Sequence, residues 1–220
     1  MKISKDHIWG PMPDKEMQNL AATYIRNFKL HDVFLENGAC RLGDFTPQSK
    51  IYILVHGHAQ MPLFSNSNGK WSATQLARML EADGLPKDQR EIELLVCHAG
   101  ESVNDKKTGA KLLNINSQAQ AAKAQGKSID KLVGLFSKVA GKGTGPSFFE
   151  SDPEKLLLPL AAELAQALKH LGYTNFRVIS YKCPVAQYSE DGEVYLDLTK
   201  KGGRWGVKAK LHPTYRVVWQ

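Results

Sequence analysis

Cysteine is scarce in this chain: Cys40, Cys97 and Cys183 are the only three in 220 residues, and no two form a C-x-x-C pair. So odd and sparse a set excludes a disulfide framework and a structural zinc knot, and it leaves at least one thiol unbonded. No apolar run reaches the roughly 18 residues of a membrane-crossing helix. The opening stretch MKISKDHIWGPMPDKEMQ is too charged and proline-punctuated for the apolar region of a signal peptide. The expectation is a protein without a membrane span that stays in the cytoplasm or leaves by a route needing no cleaved signal. No G-x-S-x-G pentapeptide occurs, which removes the nucleophile elbow of a serine hydrolase. Internal repeats are absent, and so is any acidic residue after Asp197.

The residues present, 42% of them hydrophobic, suffice for one sizeable α/β domain over 1–220. Its core begins with IYILV at 51–55, an apolar run without polar alternation that predicts an interior strand covered on both faces. An asparagine- and glycine-rich loop, FSNSNGKW, precedes a helix in SATQLARMLEADGL, capped by Ser72 or Thr74. A second strand, IELLVC, completes a βαβ unit with a parallel pair. About residues 104–150 form a lysine-rich helical insertion, in which Ile129, Leu132, Val133 and Phe136 share an apolar face. A helix in DPEKLLLPLAAELAQALKHLGY and a third parallel strand, NFRVISY, follow. From about 186 to 220 the pattern predicts an antiparallel ribbon whose first hairpin turns at Asp191-Gly192. Residues 1–50 contain a helix in PDKEMQNLAATYIRNF among short extended pieces.

Parallel strands joined by a helix end side by side, so His56 and Cys97 fall at neighbouring strand ends, where open α/β sheets place their chemistry. A thiol is nucleophilic as thiolate, and a neighbouring imidazole supplies that form by taking the proton. The bland alternative makes Cys97 a small buried hydrophobe and His56 a loop residue. A zinc site from His56, His58, Cys97 and His98 ranks below the dyad, since HGHAQM lacks a carboxylate and a third histidine. Cys40 and Cys183 have no adjacent base and carry no chemistry in this reading.

An apolar strand ending in His-Gly (ILVHG), a helix, an apolar strand ending in Cys (ELLVC), a long helix and FRVISYKCPV…SEDGEVYL together resemble the caspase-like cysteine peptidases. The likeness is to the self-processing domains of RTX and clostridial glucosylating toxins, and it covers about residues 50–198. It implies a three-layer sandwich with a mostly parallel central sheet flanked by helices and a C-terminal antiparallel β-flap. It also implies peptide-bond hydrolysis on the chain itself or a partner protein, needing no cofactor for the chemistry. Cys97 would be nucleophile, His56 general acid, and the N–H groups of Gly57 and Cys97 the oxyanion donors. An acidic residue N-terminal to His56 would orient it, with Asp32, Glu36 and Asp44 as candidates.

The acid-free tail concentrates Lys200, Lys201, Arg204, Lys208, Lys210 and Arg216. Strand alternation predicts Lys208 and Lys210 on one face. Lysines on an edge strand discourage edge pairing, and that alone would explain them. No paired-aromatic RNA signature accompanies the charge, which disfavours nucleic acid. By the resemblance, these six cations would bind inositol hexakisphosphate as activator, making the chain a bacterial effector switched on inside a host cell. The alternative is an inactive relative that serves as an anion- or protein-binding module.

Overall fold

A computed structural model describes residues 2–11, 13–32, 41–58, 61–100, 109–140, 159–185, 192–197, 207–211 and 213–220. Strand β1 (His7–Trp9) leads through helix α1 (Lys15–Phe28) to β2 (His31–Asp32) and then β3 (Ile51–Leu54). Three short strands follow, β4 (His56–His58), β5 (Met61–Asn66) and β6 (Gly69–Trp71), before α2 (Ala73–Ala82) and β7 (Glu91–Leu95). Helices α3 (Gly109–Ala124) and α4 (Asp130–Ala140) pack on each other within the insertion. Helix α5 (Leu160–His170) returns the chain to β8 (Arg177–Tyr181), and β9 (Tyr195–Leu196), β10 (Val207–Lys208) and β11 (Arg216–Trp219) finish it.

The central sheet runs β2-β1-β3-β7-β8-β11, its first five strands parallel and β11 antiparallel to β8. The fold is thus mixed α/β around a mostly parallel sheet. Every residue of β3 is buried because alternate side chains serve two cores. Ile51 and Ile53 point into one with α2 and α5, and Tyr52 and Leu54 into the other with Met17, Ala21 and Tyr24 of α1. Each such side chain withdrawn from water contributes about 1.5–3 kcal/mol, enough to fix the strand's register and faces. Asp14 caps α1 by accepting the Met17 N–H at 2.8 Å, and Lys29 ends it in the left-handed region at φ 55°. Ser72 caps α2 in a reciprocal box with Gln75. Alanines 161, 162, 165 and 167 let α5 lie close to α2 and the sheet.

Two expectations are corrected. FSNSNGKW is the β5–β6 hairpin, Asn66 pairing with Gly69 while its side-chain oxygen accepts the N–H groups of Asn68 and Gly69. That side chain supplies the turn's hydrogen bonds, so an asparagine-rich stretch stays within a sheet. RVVW, expected in the terminal ribbon, is the sixth strand of the central sheet, where Trp219 donates its indole N–H to Ser180 at 3.1 Å. Among the described residues, β9 and β10 remain as an antiparallel flap, with Val185 bridging to Leu196. Asp191 lies outside the described residues, and Gly192 has φ 74°. Among the described residues, no helix is long and apolar enough to cross a membrane.

Candidate active site

The parallel neighbours β3 and β7 keep a constant register from Ile51↔Ile92 to Leu54↔Leu95. Continued for two residues, it sets His56 level with Cys97. Leu54 and Leu95 both face the core beneath α1, and alternation turns His56 and Cys97, two residues further on, to that same face. The contact at Gly57 fixes the approach. A Cβ there would lie 2.1 Å from the Cys97 carbonyl oxygen and 2.6 Å from Val96 Cγ1. The β4 backbone therefore rests directly on the Cys97 peptide, at a distance only glycine permits. Pairing of Gly57 with Phe64 of β5 holds it there.

Helix α1 delivers two acids to His56. Glu16 Oε1 is 3.6 Å from His56 Nε2. Asp14, 8% exposed, accepts Ser67 Oγ at 2.6 Å and Ser67 N at 2.7 Å, tying α1 to the β5–β6 turn. The Ser67 hydroxyl foremost, then the Met17 N–H, with the charge of His56 contributing least, lower the Asp14 pKa to about 2. Neither acid was among the sequence candidates. Asp32 pairs in β2 and Asp44 accepts the Arg41 N–H at 2.7 Å, while Glu36 lies outside the described residues. The available signal was the capping position of Asp14 before an amphipathic helix, but nothing local says that this helix starts beside His56.

Cys97 is partly buried, and its Sγ is 3.9 Å from the Val185 carbonyl oxygen. Burial pushes the thiol pKa up, and the nearby Asp197 carboxylate adds to the rise. Among the described residues no hydrogen bond joins Cys97 to His56; a dyad can tighten only when substrate arrives. The turn after Cys97 is tightly held. His98 takes a left-handed φ of 59°, Gly100 N donates to Tyr181 O at 2.9 Å, and Ala161 N donates to Ala99 O at 3.0 Å. A non-glycine residue in that region costs about 1–2 kcal/mol, which these neighbours offset.

The cations separate. Lys208 and Lys210 do not share a strand face, because the chain leaves β10 at Lys208 for a 3-10 turn, Ala209–Leu211. Lys208 lies over the Tyr195 ring at 5.9 Å, and Lys210 pairs with Glu193. Lys210 and Arg216 line a cavity of about 350 Å³ between the flap and the sheet. A third cation there, Lys50, was not anticipated, since it is a lone lysine before an apolar strand. Its Nζ is 3.0 Å from Glu93, to which the Tyr181 hydroxyl also donates. Burial is the largest single influence and would lower the Lys50 pKa, but Glu93, Tyr52 and Glu91 together outweigh it and the net direction is up. Lys200, Lys201, Arg204, Cys40 and the side chain of His58 lie outside the described residues. Among those described, no group of three or more His, Cys, Asp and Glu side chains is placed to hold a metal ion. The chain matches no protein-family model and no curated protein.

Proposed function

We propose that the chain is a caspase-like cysteine endopeptidase that cleaves itself or a partner protein. The observation carrying this reading is the seating of Gly57 on the Cys97 carbonyl, with which the β3–β7 register, extended two residues past Leu54↔Leu95 to His56 and Cys97, agrees. Cys97 gives its proton to the imidazole and attacks the scissile carbonyl. The N–H groups of Gly57 and Cys97 hold the oxyanion, and the tetrahedral adduct collapses to a thioester as His56 protonates the departing amine. Water then hydrolyses the thioester and returns the thiol. Glu16 beside Nε2 orients the ring, which leaves Nδ1 for the proton transfers. The mostly parallel sheet with helices on both faces supports a caspase-like three-layer sandwich.

Inositol hexakisphosphate is the proposed activator, taken up by Lys50, Lys210 and Arg216 at the flap cavity with Lys200, Lys201, Arg204 and Lys208 as further cations. The flap adjoins the thiol. Val185, whose carbonyl holds Cys97 Sγ, bridges to Leu196 of β9, and Ala209 N donates to Val194 O at 2.8 Å. A polyanion that separates Lys210 from Glu193 and Lys50 from Glu93 would move the flap and release the thiol. Such an activator implies a bacterial effector acting inside a host cell. The pairing of the cavity's lysines with acids, and a thiol held by Val185 instead of His56, favour a second reading: an inactive relative that binds anions or proteins.

Wild type, Cys97→Ala and His56→Ala are incubated with and without inositol hexakisphosphate, and new chain termini are followed by mass spectrometry. Cleavage by wild type, stimulated by the polyanion and lost in both variants, is the expected result. Equal cleavage by Cys97→Ala and wild type would end the peptidase reading. Calorimetric binding of the polyanion with no cleavage by wild type would favour the binding module.

A further inference from the structure

The β7–β8 ladder carries the two described thiols to one place. Its pairs are Glu91↔Arg177, Ile92↔Val178 and Glu93↔Ile179, and the same offset reaches Cys97↔Cys183. The hydrogen bonds follow. Arg177 N donates to Arg90 O at 2.9 Å, the bond a parallel ladder makes on one side of the pair at Glu91. At Cys97 the complementary bond of the same pattern is present, His98 N donating to Cys183 O at 3.3 Å. The paired ladder itself ends at Glu93↔Ile179, and beyond it the His98 N–Cys183 O bond brings the segments that follow the two strands together again at the cysteines. They also share a face, because Leu95, Tyr181 and Cys183 belong to the core beneath α1 and Cys97 lies two residues beyond Leu95. A backbone hydrogen bond from the residue after Cys97 to the Cys183 carbonyl sets the two backbones about one strand spacing apart, roughly 4.7–4.9 Å, inside the roughly 4.4–6.8 Å between Cα atoms that a disulfide spans. Neither thiol is in a disulfide, and their exposure differs: Cys97 is partly open and Cys183 is 7% exposed.

We propose that Cys97 and Cys183 form an oxidative modification site for hydroperoxides, Cys97 reacting first and Cys183 resolving the product as an intramolecular disulfide. The Cys97 sulfur attacks one peroxide oxygen, the O–O bond breaks, and the second oxygen leaves as water with the thiol proton, giving a sulfenic acid. The Cys183 sulfur then attacks the Cys97 sulfur, an S–S bond forms, and the S–O bond breaks. The hydroxyl leaves as a second water with the Cys183 proton. Two thiols lose two electrons and one hydrogen peroxide gains them. Burial keeps Cys97 largely protonated near neutrality, so the reaction accelerates as pH rises. Where Cys97 is the peptidase nucleophile of the preceding section, the disulfide switches the enzyme off reversibly. Formation of the bond itself does not depend on that reading.

The test treats the reduced full-length protein with excess hydrogen peroxide at mildly alkaline pH, then titrates thiols and maps peptides by mass spectrometry. The expected titre falls from three thiols to one, with the loss of two hydrogens in mass and a Cys97–Cys183 cross-linked peptide that dithiothreitol cleaves. Cys183→Ser should instead gain oxygens on Cys97, and Cys97→Ser should leave Cys183 reduced; either variant alone is informative if the other fails to fold. Wild-type Cys97 that accumulates as sulfinic acid while Cys183 stays alkylatable would overturn the proposal. So would a bond from Cys97 to Cys40 or to a second chain, or an unreactive Cys97. Because the readout is chemical, a failed peptidase assay and a failed cross-link are separate results.

Discussion

Gly57 is where one residue decides the geometry of the site. An added methyl group meets a backbone oxygen, not the end of a flexible side chain, so β4 itself must move. Gly57→Ala is therefore expected to destabilise by about 1–3 kcal/mol, as overpacking does. It should lower kcat/KM by on the order of 100-fold, since a shift of about 1 Å in a reacting group has that effect. Urea unfolding and cleavage kinetics on the folded fraction check the two parts. A variant that unfolds as wild type but cleaves at the wild-type rate would mean that the backbone contact does not position the reaction.

Among elements, β1 and its edge neighbour β2 carry an unusual cost. His7 is fully buried, stacked on Phe45 with ring centroids 3.8 Å apart, and its Nε2 has no hydrogen-bond partner among the described residues. Burial foremost, with the nearby His31 adding, lowers its pKa from 6.5 to about 4, against the opposing hydrogen bond to Lys5 O. A base whose folded pKa is depressed binds its proton first in the unfolded chain, so stability is lost as pH falls through the window between those values. From about pH 7.5 to about pH 5 this predicts a loss of about 2 kcal/mol in unfolding free energy, which His7→Gln should flatten. A slope unchanged by His7→Gln would place the pH dependence elsewhere. The same strands show the limit of sequence reading. β3 is legible because an unbroken apolar run reports burial on both faces, β7 and β8 because short apolar-rich runs follow helices, and α1 and α2 because cap and apolar spacing agree. β1 and β2, three and two residues long and containing histidine, have no period to detect, and only their pairing with β3 reveals them. His56 and Cys97 were legible from connectivity, whereas Asp14, Glu16 and Lys50 join the sites through contacts across 40 or more residues.

At the scale of the molecule, one edge of the parallel sheet gathers His56, Cys97 and Cys183, and the cavity between the flap and the sheet gathers Lys210, Lys50 and Arg216 of β11. Val185 touches both, its carbonyl 3.9 Å from Cys97 Sγ and its backbone bridging to Leu196 of the flap, so a ligand bound at the flap is expected to alter the environment of the thiol. The helices α3 and α4 follow β7 and precede α5, so the insertion interrupts the chain without interrupting the sheet. The most direct test of the central claim is labelling by a peptidyl ketone electrophile, which needs both a peptide-binding cleft and an activated thiol. The account predicts modification of Cys97 alone among the three cysteines, faster with inositol hexakisphosphate and abolished in His56→Ala. Labelling spread evenly over Cys40, Cys97 and Cys183, or unchanged in His56→Ala, would contradict it.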